Sequence, residues 1–177
     1  KRIIVPPSPG DAGSAIGAAY FLSEKLGWPF QSRNDAFCGP KPEHLTDYPH
    51  LYECMKLEDT AAFMDDQFSL GHSVAVYQGY SECGPRSLGS RSLLAGLETR
   101  SSIRNLNEIT KRRERFRPIA PIVGEGTLMT PIAISSNDAT LSRWMVTLIC
   151  GDRLLGASSV ALNNIAHRDG SMRAQII

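Results

Sequence analysis

Apolar spacing divides the chain into short segments of different period. Ile3-Ile4-Val5 reads as a short buried strand closed by Pro6-Pro7. After the turn Ser8-Pro9-Gly10-Asp11, an Ala-rich run from Ala12 to Leu26 places Ile16, Ala19, Tyr20 and Leu22 near helical spacing, and Gly27-Trp28-Pro29 stops it. Asp11 stands just before this helix, in the place of an N-cap. Residues 28–49 are Pro-rich and polar and make the best domain boundary. Glu53 to Phe68 predicts a second helix, ended by Gly71, and His72 to Gln78 has the β-branched character of a strand.

The second half is read the same way. Gly79 to Gly89 is a loop. Ser101 or Ser102 caps a predicted helix running through Arg113, with Ile103, Leu106 and Ile109 along one face, and Arg117-Pro118 ends it. Ile119 to Val123 predicts an edge strand interrupted by Pro121. Trp144 to Cys150 and Ser159 to Ala166 predict two more strands, and Asp169-Gly170 signals a type I′ hairpin leading into Met172 to Ile177. The expected fold is α/β of the mixed α+β kind, a mixed sheet with a few helices.

Composition narrows the class. The chain has 177 residues, 42% hydrophobic and 21% charged, which is the balance of a folded domain with a real core. No apolar run reaches the roughly 20 residues of a membrane span, and Pro6-Pro7 break the apolar start too early for a signal peptide. The four cysteines are scattered without a C-x-x-C, the pattern of free thiols in a reducing cytoplasm.

Charge changes the picture more. Residues 84–123 hold nine of the nineteen Lys and Arg against three Glu, so this stretch carries +6 while the whole chain carries +1. Arginines beside Gly and Pro turns suit a phosphate or carboxylate, because one guanidinium meets two oxygens at once. Gly84-Pro85-Arg86-Ser87-Leu88-Gly89 has the glycine spacing of a phosphate loop. Ser90-Arg91-Ser92 follows where such a loop needs Lys and then Ser or Thr, so a nucleotide-triphosphatase loop is excluded. The run Lys111-Arg112-Arg113-Glu114-Arg115-Phe116-Arg117 carries more cations than a helix C-terminus needs for its dipole. A nucleic-acid reading competes for these cations. The low net charge and the lack of interleaved aromatic residues for base stacking count against it. His167-Arg168-Asp169-Gly170-Ser171-Met172-Arg173 sets further polar groups around a turn.

These segments also match known ones. GPRSLGSRSLL resembles G-P-R-A-L-G-N-R-S-I-L, and NEITKRRERFRPIAPIV resembles N-x-x-I-K-x-R-E-x-F-R-P-F-A-P-x-V. HRDGSMRAQII resembles H-x-D-G-T-x-R-x-Q-x-V, and PSPGDAGSAIGAAY resembles G-D-S-G-T-A-x-G-A-A. With these four motifs in the matching order along the chain, the sequence resembles the O-carbamoyltransferases of the nodulation, cephamycin and aminoglycoside type. The resemblance departs at Gln78-Gly79-Tyr80-Ser81-Glu82-Cys83, which stands for Q-G-R-M-E-F, at Ser90, which stands for Asn, and over residues 124–142. No H-x-x-x-H and no N-T-S-F-N is present, so the chain is expected to be a central piece that does not complete the transfer alone.

The resemblance implies two modules. Residues 1–27 would be the last strand and helix of an actin-like, Kae1-type domain, and residues 28–177 a YrdC-like domain, a twisted mixed sheet with flanking helices. It implies an ATP-dependent carbamoyltransferase that forms carbamoyl-adenylate from carbamoyl phosphate and ATP with Mg. The carbamoyl group would then pass to a hydroxyl of a saccharide or antibiotic, such as a nodulation-signal oligosaccharide, with an iron-type divalent metal in the Kae1-like domain. Asp11 matches the metal-binding aspartate. Lys111, Arg113, His167 and Asp169 match the positions given catalytic roles, and Arg86, Arg91, Ser92, Lys111, Arg113, Arg117 and Arg173 those binding carbamoyl phosphate and ATP. A cytoplasmic location follows, membrane and nucleic acid are not expected partners, and a homodimer is compatible. The threonylcarbamoyl-AMP and hydrogenase-maturation type of YrdC protein is the rival enzyme class; its Lys-Arg and Ser-x-Asn motifs are spaced differently.

Overall fold

A computed structural model describes residues 5–30, 35–41, 57–97, 100–124, 143–150, 163 and 165–177. Within them the protein is a mixture of helices and three small two-stranded sheets. No helix among the described residues is long and apolar enough to cross a membrane.

Helix α1 spans Asp11–Leu26. Its end follows from glycine chemistry: Gly27 adopts φ 64°, and the chain folds back so that Trp28 N–H donates to the Ser23 carbonyl at 2.9 Å. Its start differs from expectation. Gly10 holds the cap position without a side-chain bond, and Asp11 is the first helical residue, where its charge meets the positive end of the dipole. Ala, Gly and Ser keep one side of α1 slight, and none of its residues is buried. Val5 is not in a strand, and the rest of the strand expected at Ile3-Ile4-Val5 lies outside the described residues.

Helix α2, Leu57–Ser69, begins with Glu58 and Asp59 in its first turn, again the favourable end for carboxylates. The part of the predicted helix before residue 57 lies outside the described residues. Gly71, at φ 77°, turns the chain into β1, Ser73–Tyr77. This strand pairs antiparallel with β2, Arg91–Ala95, in a register from Ser73 opposite Ala95 to Tyr77 opposite Arg91. Helix α2 lies close on this pair: a Cβ on Gly96 would stand 3.1 Å from the Phe68 Cβ.

The predicted helix through Arg113 is shorter and wider than its spacing suggests. Helix α3, Arg100–Arg104, widens into a single π-helical stretch at Asn105–Thr110. Ser101 and Ser102 therefore lie inside the helix rather than capping it. The basic run from Lys111 onward is not helical, and Arg112 has φ 47°. The expected helical faces pairing Lys111 with Arg115 and Arg113 with Arg117 do not exist. The physical reason is Asn107, which is buried and bonds forward to the segment that should have continued the helix.

Strand pairing in the last third is brief. Strand β3, Ile122–Val123, runs parallel to β6, Gln175–Ile176, and β4, Ile149–Cys150, pairs antiparallel with β5, Ser171–Met172. The long strand expected from Trp144 reduces to its last two residues, because Trp144 and Met145 form a turn with Met145 at φ 52°. Asn163 and Ile165 are helical where a strand was predicted, and residues 159–162 lie outside the described part. The Asp169-Gly170 turn exists in another form. Only Gly170 has positive φ, at 79°, and His167 N–H donates to Ser171 O at 2.8 Å, which makes a three-residue loop rather than a type I′ turn. The strand that follows pairs with β4.

Two apolar clusters hold these pieces. Ile103, Ile149, Ile165, Met172 and Ala174 form one, and Ala36, Leu88, Trp144 and Met145 the other, with the Phe37 ring edge-on to Trp144 at 5.9 Å. Burying a side chain such as Ile165, 1% exposed, contributes on the order of 2 kcal/mol. Ile165 and Met145 matter further because they also floor a cationic cavity.

Candidate functional site

Three segments converge on that cavity, and each is held by one buried or half-buried polar side chain. The first is the loop between β1 and β2. Glu82 accepts three backbone N–H bonds at one oxygen, from Leu88 at 2.8 Å, Ser90 at 2.8 Å and Arg91 at 3.1 Å. Burial pushes this carboxyl up, but the three N–H donors outweigh it and hold Glu82 below the usual carboxylate range. The loop's amide cradle is thus filled by an internal carboxylate, which is why its glycine spacing does not make a phosphate loop. Gly84, at φ 112°, leaves no room for a side chain: a Cβ there would meet Ser8 Oγ at 2.6 Å.

The second segment is 111–118. Asn107 Oδ1 accepts from Arg113 Nε at 2.7 Å, its Nδ2 donates to Arg117 O at 3.0 Å, and its own carbonyl accepts Arg113 N–H at 2.9 Å. One amide therefore fixes both the backbone path and the direction of Arg113. The third segment is the C-terminal one. Gln175 is buried, takes its place in β6, and donates from Nε2 to Leu88 O at 3.0 Å, tying this end of the chain to the first loop.

Between the three lies a cavity of about 410 Å³. Arg86 enters it from the first segment, Arg113 and Arg117 from the second, and His167 and Arg173 from the third. Met145, Ile119 and Ile165 supply apolar walls. Among the described residues its lining has no carboxylate, and no carboxylate pairs with Arg86, Arg113 or Arg173. Burial and then the Arg173 charge push Arg86 below the usual guanidinium value; burial and then Arg117 do the same to Arg113, against a smaller opposing pull from Glu114. Like charges held near one another in a half-dry cavity are an arrangement that an anion relieves. Arg117 is the partly neutralised member, since its Nε lies 2.7 Å from Glu114 in an exposed pair.

Of the residues singled out from sequence, Arg86, Arg113, Arg117, His167 and Arg173 come together here. The others do not line the cavity. Arg91 lies over the Tyr77 ring at 3.8 Å, and its guanidinium donates to the carbonyls of Gln78 (2.7 Å), Ser90 (2.9 Å), Pro40 (3.3 Å) and Gly79 (3.4 Å). Those bonds make it a clasp of the loop rather than an anion ligand. Ser92 is buried and accepts Gly89 N–H at its Oγ, 2.9 Å. Asp169 accepts Ser171 Oγ at 2.7 Å and Ser171 N–H at 3.0 Å, which holds its carboxyl below the usual range and builds the turn beneath His167. Lys111 is open to solvent as a residue, yet burial of its ammonium and the nearby Arg113 charge lower its proton affinity. Asp11 is exposed, and the described residues contain no group of three or more His, Cys, Asp or Glu placed to hold a metal.

Sequence reasoning passed over Glu82, Asn107 and Gln175 as site builders. Each sits inside a quoted motif, but its partner lies 6 to 87 positions away in the chain, which spacing alone does not reveal.

A model of the Carbamoyltransferase C-terminus family matches residues 66–177. The chain is 31% identical over 185 residues to the nodulation protein NolO of Bradyrhizobium diazoefficiens, covering 99% of this chain and 33% of that protein. It is 34% identical over 178 residues to nodulation protein U of Azorhizobium caulinodans, covering 100% and 30%. Against the 3'-hydroxymethylcephem-O-carbamoyltransferase of Streptomyces clavuligerus it is 37% identical over 124 residues, covering 69% and 23%. The chain spans about a third or less of the length of these curated relatives.

Proposed function

The chain belongs to the carbamoyltransferase C-terminus family, and on that premise we propose that its arginine cavity holds carbamoyl phosphate for transfer of the carbamoyl group to a hydroxyl. The observation that carries this reading is the convergence of Arg86, Arg113, Arg117 and Arg173 on one 410 Å³ cavity whose described lining has no carboxylate. A stripe of cations on an open face would suit nucleic acid; a concave cluster of this size suits a small dianion.

The chemistry asks little of the protein beyond positioning and charge. A bond forms from a nucleophilic oxygen to the carbamoyl carbon as that oxygen gives up its proton to solvent, the bond from the carbon to the phosphate oxygen breaks, and its electron pair leaves on phosphate. Arg86, Arg113 and Arg173 hold the phosphate and gain strength as that charge develops. His167, which also lines the cavity, would orient the carbamoyl amide. Lys111, close enough to Arg113 to feel its charge, adds positive field without lining the cavity. The apolar walls from Met145, Ile119 and Ile165 lower the local dielectric and raise the value of each charge.

The finer reading, supported by the four motif resemblances, is that ATP is the second substrate: water cleaves carbamoyl phosphate to carbamate and phosphate, a carbamate oxygen attacks the α-phosphorus of ATP with pyrophosphate leaving, and the carbamoyl-adenylate then passes its carbamoyl group to a saccharide or natural-product hydroxyl with AMP leaving. The cavity suits polyphosphate by charge, and Mg would arrive with the nucleotide because no described lining residue is a carboxylate. Residues 1–27 would then be the end of a Kae1-like domain and residues 28–177 a YrdC-like domain. Asp11 belongs to no group of three or more His, Cys, Asp or Glu among the described residues, so these residues do not by themselves make up a metal site. Cytoplasmic location and homodimerisation belong to the same reading. The test is calorimetric titration of the chain with carbamoyl phosphate at low salt: saturable binding weakened about tenfold or more in Arg86→Ala supports it, and equal affinity in the variant overturns it.

A further inference from the structure

A second cavity, about 250 Å³, also has Arg117 in its lining. Phe116, Arg117 and Pro118 border both, so the two cavities share these three residues. The second cavity is lined by three further guanidiniums, those of Arg100, Arg104 and Arg115, together with Asn163. Ile103 and Ala166, from the first apolar cluster and its edge, close the floor.

Charge neutralisation here is incomplete. Glu108 meets Arg104 at 2.8 Å and Arg115 at 3.7 Å, and Glu114 meets Arg117 at 2.7 Å. Four guanidiniums against two carboxylates leave two positive charges over, and Arg100 pairs with no carboxylate among the described residues. The ion pairs are also weakly held. The Arg104 and Arg115 side chains are 63% and 75% exposed, and pairs so open to water contribute little. Neither carboxylate lines the cavity, so the guanidiniums keep donors for a ligand that enters it. Arg104 and Glu108 sit four residues apart across the change from α-helix to π-helix, which sets Arg100, Arg104 and the returning Arg115 around one hollow.

We propose that this hollow is a second oxyanion subsite that takes a phosphoryl group at the same time as the first cavity takes its own, with Arg117 shared between them. A reaction joining two phosphorylated substrates needs such a pair of sites, but the subsite rests on its own residues and not on the identity of the first ligand.

Calorimetric titration of the full chain with inorganic pyrophosphate at low salt tests this. Two binding events per chain are expected. Arg100→Ala/Arg115→Ala should remove one of them, or weaken it at least tenfold, while leaving carbamoyl phosphate affinity within about twofold. Arg100→Lys/Arg115→Lys, which keeps the charge and guards against misfolding, should restore part of the lost affinity. Arg86→Ala/Arg173→Ala should instead lose the other event and carbamoyl phosphate binding together. A chain that binds one pyrophosphate, or an Arg100→Ala/Arg115→Ala variant that keeps both events unchanged, overturns the second subsite without touching the first. Absent carbamoyl phosphate binding with two pyrophosphate events intact would overturn the carbamoyl reading alone.

Discussion

Gln175 Nε2 donates to the carbonyl oxygen of Leu88 at 3.0 Å, a buried bond between residues 87 positions apart. It joins the loop that presents Arg86 to the strand that follows Arg173. These two cations of the cavity stand far apart in the chain, one in its middle and one near residue 177. Removing one partner of a buried bond leaves the other unsatisfied, which costs about 1 to 3 kcal/mol. Gln175→Leu should lower stability by that amount in urea unfolding and also weaken phosphate binding, because Arg86 and Arg173 lose their common frame. Unfolding at the wild-type midpoint would show that the bond does not carry this link.

Glu82 offers a pH-dependent test. Its folded-state proton affinity is below the ordinary carboxylate value of 4.5, so its stabilising effect is present above that value and is lost as pH falls through the lower, folded one. Stability of the chain should therefore decline with acid below about pH 4.5, and Glu82→Gln should flatten that part of the curve while lowering stability at neutral pH. The urea midpoint measured from pH 7 to pH 3 in both proteins decides; identical slopes would remove Glu82 from the account.

Arg91 separates a clasp from a ligand. Its guanidinium donates to four carbonyls and lies over the Tyr77 ring, outside the cavity. Arg91→Lys keeps the charge but loses the fork, so stability should fall by about 1 to 2 kcal/mol. Carbamoyl phosphate affinity measured on the folded fraction should change less than about threefold. A variant with normal stability and lost binding would return Arg91 to the site.

Asn107 is the hinge between fold and chemistry, and the place where sequence spacing misled. The apolar positions Ile103, Leu106 and Ile109 predict a helix continuing to Arg113, yet Ile109 is 67% exposed and the chain leaves the helix after Thr110. The cause is polar and non-local in period: Asn107 satisfies its side chain with Arg113 and Arg117 O instead of solvent. Elements governed by their own residues were legible, among them α1 with its Gly27 stop, α2 and β1, whereas its partner β2, Arg91–Ala95, was not read as a strand. The cations of the cavity were legible as a charge excess. Which of them meet was not, because Arg91 and Asp169 look like ligands in one dimension and spend their bonds on loop carbonyls and a turn. Asn107→Asp should place a carboxylate against Arg113 and weaken carbamoyl phosphate binding about tenfold or more with a modest change in stability; unchanged affinity would mean that Arg113 is not a ligand.

The central claim is that one cavity between three segments binds a small dianion through Arg86, Arg113 and Arg173. Its most direct test is a calorimetric titration of the full chain with carbamoyl phosphate, run in parallel on Arg86→Ala, Arg113→Ala and Arg173→Ala at two salt concentrations. The account predicts saturable binding that weakens with salt, with a loss of about 2 kcal/mol in each variant, the size of a charge-assisted hydrogen bond. Three variants that bind as the wild type does would contradict it.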